Sequence, residues 1–231
     1  MGAERTRWLR NPALFTAPIM TGCRALHPPA RHPRPLSTHT QSLIETTHAI
    51  AIKVGGRHVV ERLVEDLKDE NEQYRRVVLE TIHKIVADLG VADVPAALEE
   101  RLMDGVLYAY QEQTPADESD TVLKGVAAVV AALDTRAAPY FQQITGLVKW
   151  FLKNNLPRRR MQAADLVAKI AGVMKVCGDE RDLSHLGQLF YENLGEEYPE
   201  VLGSILGALK SIVNALGMEK MNPPIKDLLP R

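Results

Sequence analysis

The chain has 231 residues, 45% of them apolar and 25% charged, with a formal net charge of −1. That is enough apolar material for a continuous core, and the two cysteines, Cys23 and Cys177, supply neither a disulfide framework nor a zinc site. No apolar run approaches the ~18–20 residues of a membrane-spanning helix.

Residues 1–40 carry Arg5, Arg7, Arg10, Arg24, Arg31 and Arg34 against the single acid Glu4, and prolines at 28, 29, 33 and 35. Such a segment reads as a disordered extension, with a mitochondrial transit peptide as the alternative. The remainder is acidic, the reverse of what a general nucleic-acid binder needs in its folded part. Any RNA contact is therefore expected to be local.

From residue 41 the helical period does not stop. Helices are expected over 41–54, 57–68, 71–89, 93–112, 119–134, 137–154, 157–177, 180–194 and 197–216, with another starting at 223. The first helix of each pair repeats an apolar stripe closed by glycine: Thr47-Ile50-Ala51-Val54-Gly55, Ile82-Ile85-Val86-Leu89-Gly90, Ile170-Val173-Met174-Cys177-Gly178 and Leu209-Ile212-Val213-Leu216-Gly217. A fifth copy, Val126-Val129-Val130-Leu133, has Asp134 in place of glycine. The glycines are expected to take the left-handed conformation that ends a helix. Pro139, Pro157 and Pro199 fall in first turns and Asp120 and Asp179 at N-caps. Second helices carry Val59-Leu63-Leu67, Leu98-Leu102-Val106-Tyr110 and Ile144-Leu147-Val148-Phe151, and residues 113–119 form the longest loop. Cys177, on the stripe, reads as a small buried hydrophobe.

Two helices per period of ~40 residues mark a HEAT-type α-solenoid. The expected fold is all-α, a right-handed superhelical stack of antiparallel helix pairs. About five units are expected over residues 41–231, the last truncated at 222–231 with its second helix barely started.

Three charge clusters open successive first helices: Asp117-Glu118-Asp120, Arg158-Arg159-Arg160 and Glu196-Glu197-Glu200. Stacking sets the arginines between two acidic clusters, where they oppose a helix dipole by ~0.3–1 kcal/mol each. An inter-repeat ion-pair ladder answers that; a phosphate contact from RNA is the competing role. The ladder predicts slightly lower thermal stability on charge reversal of Arg159 and Arg160, with RNA affinity unchanged.

Catalytic equipment is not apparent. There is no phosphate loop, His-Glu zinc motif or nucleophile elbow, and Glu99-Glu100 diverge by about 100° on a helix. His48, His58, His83 and His185 are scattered, and the aromatics Tyr108, Tyr110, Tyr140, Phe141, Trp150, Phe151, Phe190 and Tyr191 sit at packing intervals. No enzyme activity, cofactor, metal or small-molecule substrate is expected.

The non-repeating positions say more. ENLGEEYPEVLGSILGALKSIVNALGMEKMNPPIKDLLPR (192–231), DLKDENEQYRRVVLETI (66–82), LYAYQEQT (107–114) and MQAADL (161–166) resemble the HEAT-repeat domain of the splicing factor 3B subunit 1 family. The likeness runs from about Leu43 to Arg231 and does not include residues 1–40. It implies a nuclear, non-catalytic scaffold of the U2 small nuclear ribonucleoprotein that acts in branch-site recognition and spliceosome assembly. Implied partners are the other splicing factor 3B subunits (a large β-propeller and a small PHD-finger-like zinc protein), pre-mRNA and small nuclear RNA, with no membrane. A generic HEAT adaptor of transport or phosphatase-scaffold type is the alternative, and a HEAT-fold enzyme on nucleic acid a third reading.

Overall fold

The computed structural model describes residues 38–114 and 120–221, all within one unit, Pro33–Arg231. Among the described residues nine α-helices run in order: α1 Thr38–Val54, α2 Gly56–Leu63, α3 Glu72–Leu89, α4 Ala96–Gln111, α5 Thr121–Leu133, α6 Phe141–Leu152, α7 Pro157–Val176, α8 Glu180–Glu192 and α9 Pro199–Leu216. Among the described residues there is no strand. The odd-numbered helices pack in succession, α1 on α3, α3 on α5, α5 on α7 and α7 on α9, with the last seam the most extensive. Helix α4 packs on α3 and α5, and α8 on α7 and α9, whereas α6 packs on α7 and on the 3-10 segment that links it to α5; even helices meet one another little. The result is an all-α arrangement in two layers.

The apolar stripes make the odd layer. Ile82, Ile85, Val126, Val129, Val130, Ile170, Met174 and Ile212 are all buried, each contributing on the order of 1.5–3 kcal/mol. The first copy departs from expectation: on α1, Ile44 and Ala51 are buried while Ile50 and Val54 are exposed. α1 packs on α2 and α3, and no described element covers its other side. Among the even helices, Leu98, Leu102, Val106 and Tyr110 of α4 are buried, as are Ile144, Val148 and Phe151 of α6.

Two helices are shorter than their periodicity predicts. Residues 57–68 divide into α2 and a 3-10 turn, Glu65–Lys68, whose Leu67 seats against Gly105 of α4. The expected helix 137–154 begins as a 3-10 segment, Asp134–Tyr140, and turns α-helical only at Phe141. Pro139 therefore lies inside the 3-10 run rather than in the first turn of α6, where its missing N–H leaves an incomplete α ladder. Pro157 and Pro199 do occupy first turns. Asp120 holds the N-cap position of α5 without capping it, and Asn71, unnoticed in the sequence, caps α3 by accepting from the backbone N–H groups of Gln73 and Tyr74. The rest of the 113–119 loop from residue 115, the helix starting at 223, Cys23 and the extension up to residue 37 lie outside the described residues.

The stripe-ending positions all have positive φ, but three of the glycines do not take the left-handed helical conformation. Gly55 (φ 97°, ψ 132°), Gly90 (68°, −165°) and Gly217 (88°, 150°) combine positive φ with extended ψ, a region nearly closed to any residue with a Cβ. Gly178 instead closes a Schellman turn, with Asp179 N–H donating to Met174 C=O and Gly178 N–H to Lys175 C=O. Asp134 does the glycine's task at φ 50°, ψ −122°, the one positive φ outside glycine among the described residues. Asp134→Gly is expected to stabilise the protein by about 1 kcal/mol, the strain relieved less the entropy glycine adds to the unfolded chain. Calorimetry should show a midpoint roughly 2–4 °C higher; a lower one would mean that the backbone there is unstrained.

Candidate functional site

The three arginines sit in the first turn of α7 and reach in three directions. Arg158 Nη2 donates to Asp120 Oδ1, at the start of α5, at 3.2 Å. Arg160 makes a two-pronged pair with Glu196, just before α9: Nε to Oε2 at 2.6 Å and Nη2 to Oε1 at 2.8 Å. Its Nη1 donates to Asn154 C=O, and the guanidinium lies 5.7 Å from the Tyr198 ring centre. Asp117 and Glu118 lie outside the described residues, and Glu197 and Glu200 remain exposed.

Among the described residues Arg159 meets no carboxylate. It is buried, with 8% of its surface exposed, and its guanidinium lies over the Phe151 ring at 4.7 Å. Its Nη1 reaches Tyr110 C=O, and Nη2 reaches the C=O groups of Gln111 and Gln113. These carbonyls end α4, where last-turn C=O groups lack helical partners and the dipole is negative. Among the described residues it is the end of another helix, and not an acidic side chain, that compensates this arginine. Burial pulls the guanidinium pKa down, opposed chiefly by Tyr110 and Glu112, so the charge carries a desolvation cost that the carbonyls must offset.

The same helix end is held from the other side. Arg75 of α3, also buried, donates through Nη1 to Asp69 and Glu70 C=O and through Nη2 to Glu112 C=O. Glu72 accepts from the Thr114 N–H, and the buried amides of Gln113 and Gln162 pair at 3.1 Å. Arg75 and this amide pair were missed in sequence. The available signal was that Arg75 opens α3 as Arg159 opens α7.

Ion pairs recur at a similar sequence separation. Lys68–Asp104, Arg101–Glu65, Arg158–Asp120, Arg160–Glu196 and Lys220–Glu180 join residues 36 to 40 apart in sequence. Arg136 pairs with the buried Glu99 at 3.1 Å and donates to Val91 and Val94 C=O. Most of these pairs are exposed and contribute at most about 1 kcal/mol each. The Arg160–Glu196 pair differs, its side chains being 15% and 8% exposed.

The hydrogen bonds within the pair give it a pH signature. The Arg160 hydrogen bonds hold the Glu196 carboxyl below its ordinary value. A depressed folded-state pKa stabilises above the unfolded value and loses that contribution as pH falls through the folded one. Glu196→Gln is therefore expected to cost about 2 kcal/mol at pH 7, between the values for exposed and buried pairs. The difference from wild type should fade below the ordinary Glu pKa of about 4.3. Urea titrations at pH 7 and pH 3 check this; a difference equal at both would remove the ionic contribution.

The remaining candidates divide by burial. Tyr110, Phe141, Phe151 and Phe190 are core, with Tyr110 and Phe151 ring centres 5.0 Å apart, whereas Tyr108 and Trp150 are exposed. Cys177 is half-buried rather than buried, and its thiol donates to Asp134 C=O at 3.3 Å. His48 lies 2.8 Å from Asp88, His83 is half-buried, and His58 and His185 are exposed. Among the described residues no group of three His, Cys, Asp or Glu could hold a metal, and no helix is long and apolar enough to cross a membrane.

No family model matches the chain. Over 191 residues it is 50% identical to the U2 snRNP component prp10 of Schizosaccharomyces pombe, covering 83% of this chain and 16% of that protein. Over 185 residues it is 39% identical to the U2 snRNP component HSH155 of Saccharomyces cerevisiae, covering 80% of this chain and 19% of that one. Both are orthologues of splicing factor 3B subunit 1, so the chain is homologous to part of the protein family its residues resemble. It spans less than a fifth of the length of either relative.

Proposed function

We propose that this chain is a HEAT-repeat segment of a non-catalytic U2 snRNP scaffold acting in pre-mRNA splicing. The observation that carries the reading is the 50% identity with a U2 snRNP component, sustained over 191 residues. The two-layer packing supports it, because paired helices joined to their neighbours by contacts one period long are the build of an α-solenoid. We read residues 41–231 as about five HEAT units in a right-handed superhelical stack and residues 1–40 as an extension outside it. Work in the nucleus follows, with the other splicing factor 3B subunits, pre-mRNA and small nuclear RNA as partners.

Arg158, Arg159 and Arg160 are assigned to register between units rather than to phosphate. Asp120, the end of α4 and Glu196 engage them from within the chain. RNA affinity should accordingly be insensitive to their substitution wherever the fold survives.

Affinity purification of the tagged full chain from nuclear extract tests the assignment. Enrichment of U2 small nuclear RNA and the large β-propeller subunit is expected. Recovery of neither, with the chain folded by circular dichroism, would overturn it in favour of an adaptor for other partners.

A further inference from the structure

A groove of about 570 Å3 separates α6 from the turn between α7 and α8. Phe141 and Ala138 line it as apolar surface, Thr145 and Lys149 come from α6, and Asp179 and Asp182 project from the first turn of α8. Neither aspartate has a cation within ion-pair distance among the described residues, and Lys149, though in the wall, pairs with neither. Burial and the neighbouring Asp182 charge push the Asp179 carboxyl above its usual range. The α8 N-terminus favours both charges, while burial and the Asp182 charge oppose ionisation of Asp179.

An independent feature points to a ligand in the same place. Thr145 is 4% exposed, and its hydroxyl is buried with no hydrogen-bond partner. A buried polar group without a partner costs about 1–3 kcal/mol, which a ligand can relieve. The groove thus offers two carboxylates, an unsatisfied hydroxyl and an apolar side for an aliphatic stem. The negative charge excludes phosphate, and the acids do not converge as metal ligands.

We propose that this groove is a docking site for an arginine side chain of a protein partner, its guanidinium held by Asp179 and Asp182 and by the Thr145 hydroxyl. A planar fork of N–H donors suits a carboxylate pair better than a point-like ammonium does. Phe141 and Ala138 receive the stem. Lys149 competes weakly for the same carboxylates from the rim. The site stands apart from the splicing assignment and holds for a scaffold of any assembly.

The test is fluorescence anisotropy on the full chain with a labelled glycine–arginine peptide, against the same peptide carrying citrulline, the neutral isostere. The arginine peptide should bind at physiological salt and the citrulline peptide should not. Asp182→Asn and Asp179→Asn, which keep shape and capping ability, should each weaken binding about tenfold, Thr145→Val about threefold, and Lys149→Met should tighten it about twofold. Glu61→Gln, an exposed acid on α2, serves as the control. Equal binding of both peptides, or losses at Glu61 matching those at Asp179 and Asp182, overturns the proposal.

Discussion

Arg159→Glu should lower the thermal midpoint by about 10 °C, from a loss of roughly 3–5 kcal/mol, whereas Arg158→Glu should cost under ~1 kcal/mol. The sequence alone suggested a slight loss at Arg159, because exposed ion pairs contribute little. The structure changes that magnitude through burial. Arg159 is buried and serves three carbonyls at the end of α4. The carbonyl of Gln113, a residue 2% exposed, would have neither arginine nor free access to water once the guanidinium is gone. Glutamate would also set a like charge against the negative end of α4, alongside the exposed Glu112. Arg160→Ala should fall between the two, because its loss leaves Glu196 nearly buried and unpaired.

The order Arg159, Arg160, Arg158 is the discriminating result. It follows burial, whereas a phosphate-binding cluster would rank its members by exposure and by loss of RNA affinity. Because units of a stack contact only neighbours, unfolding need not be all-or-none. Hydrogen exchange should therefore show the loss first at the amides of α4 and the start of α7, with the centre of α9 still protected. Uniform exchange throughout the chain would mean that Arg159 acts globally rather than at the end of α4.

The stripes revealed the odd layer because burial on a helix leaves a period of 3.6 residues, and Ile82, Val129, Ile170 and Ile212 all obey it. Proline in the first helical turn was legible at Pro157 and Pro199, where its cause is local, but not at Pro139, which the 3-10 segment takes up. The partners of Arg159 were not, because carbonyl acceptors occur at every residue and only three-dimensional packing selects those at the end of α4. Asp134 shows a related limit. Its departure from glycine was visible, but its positive φ is imposed by the chain reversal after α5. The 3-10 segment after it was hidden for the same reason, the apolar pattern passing smoothly from Leu133 through Ala137 to Phe141. For the arginines, neighbouring acids in sequence identified Asp120 and Glu196, yet the buried contact came from the main chain.

Gly125→Val is expected to destabilise the seam between α3 and α5 by at least ~3 kcal/mol, the upper end of ordinary overpacking. A Cβ at Gly125 would lie 2.6 Å from Leu79 Cγ and 2.8 Å and 3.0 Å from its two methyl carbons. The obstacle includes the branch point of a fully buried leucine, so rotation of a chain tip does not relieve it. Either α5 moves off α3 or Leu79 leaves its rotamer, and both disturb a layer in which helices bury their stripes on one another. Leu79→Ala alone should cost about 2–5 kcal/mol by opening a cavity. Together the two substitutions should cost less than their sum by about 1–3 kcal/mol, because the valine fills the space the leucine vacates. Urea denaturation of wild type, both single variants and the double variant measures that coupling. Strict additivity would show that glycine is needed at position 125 for something other than close approach to Leu79, and would locate the limit on the α3–α5 distance elsewhere in the seam.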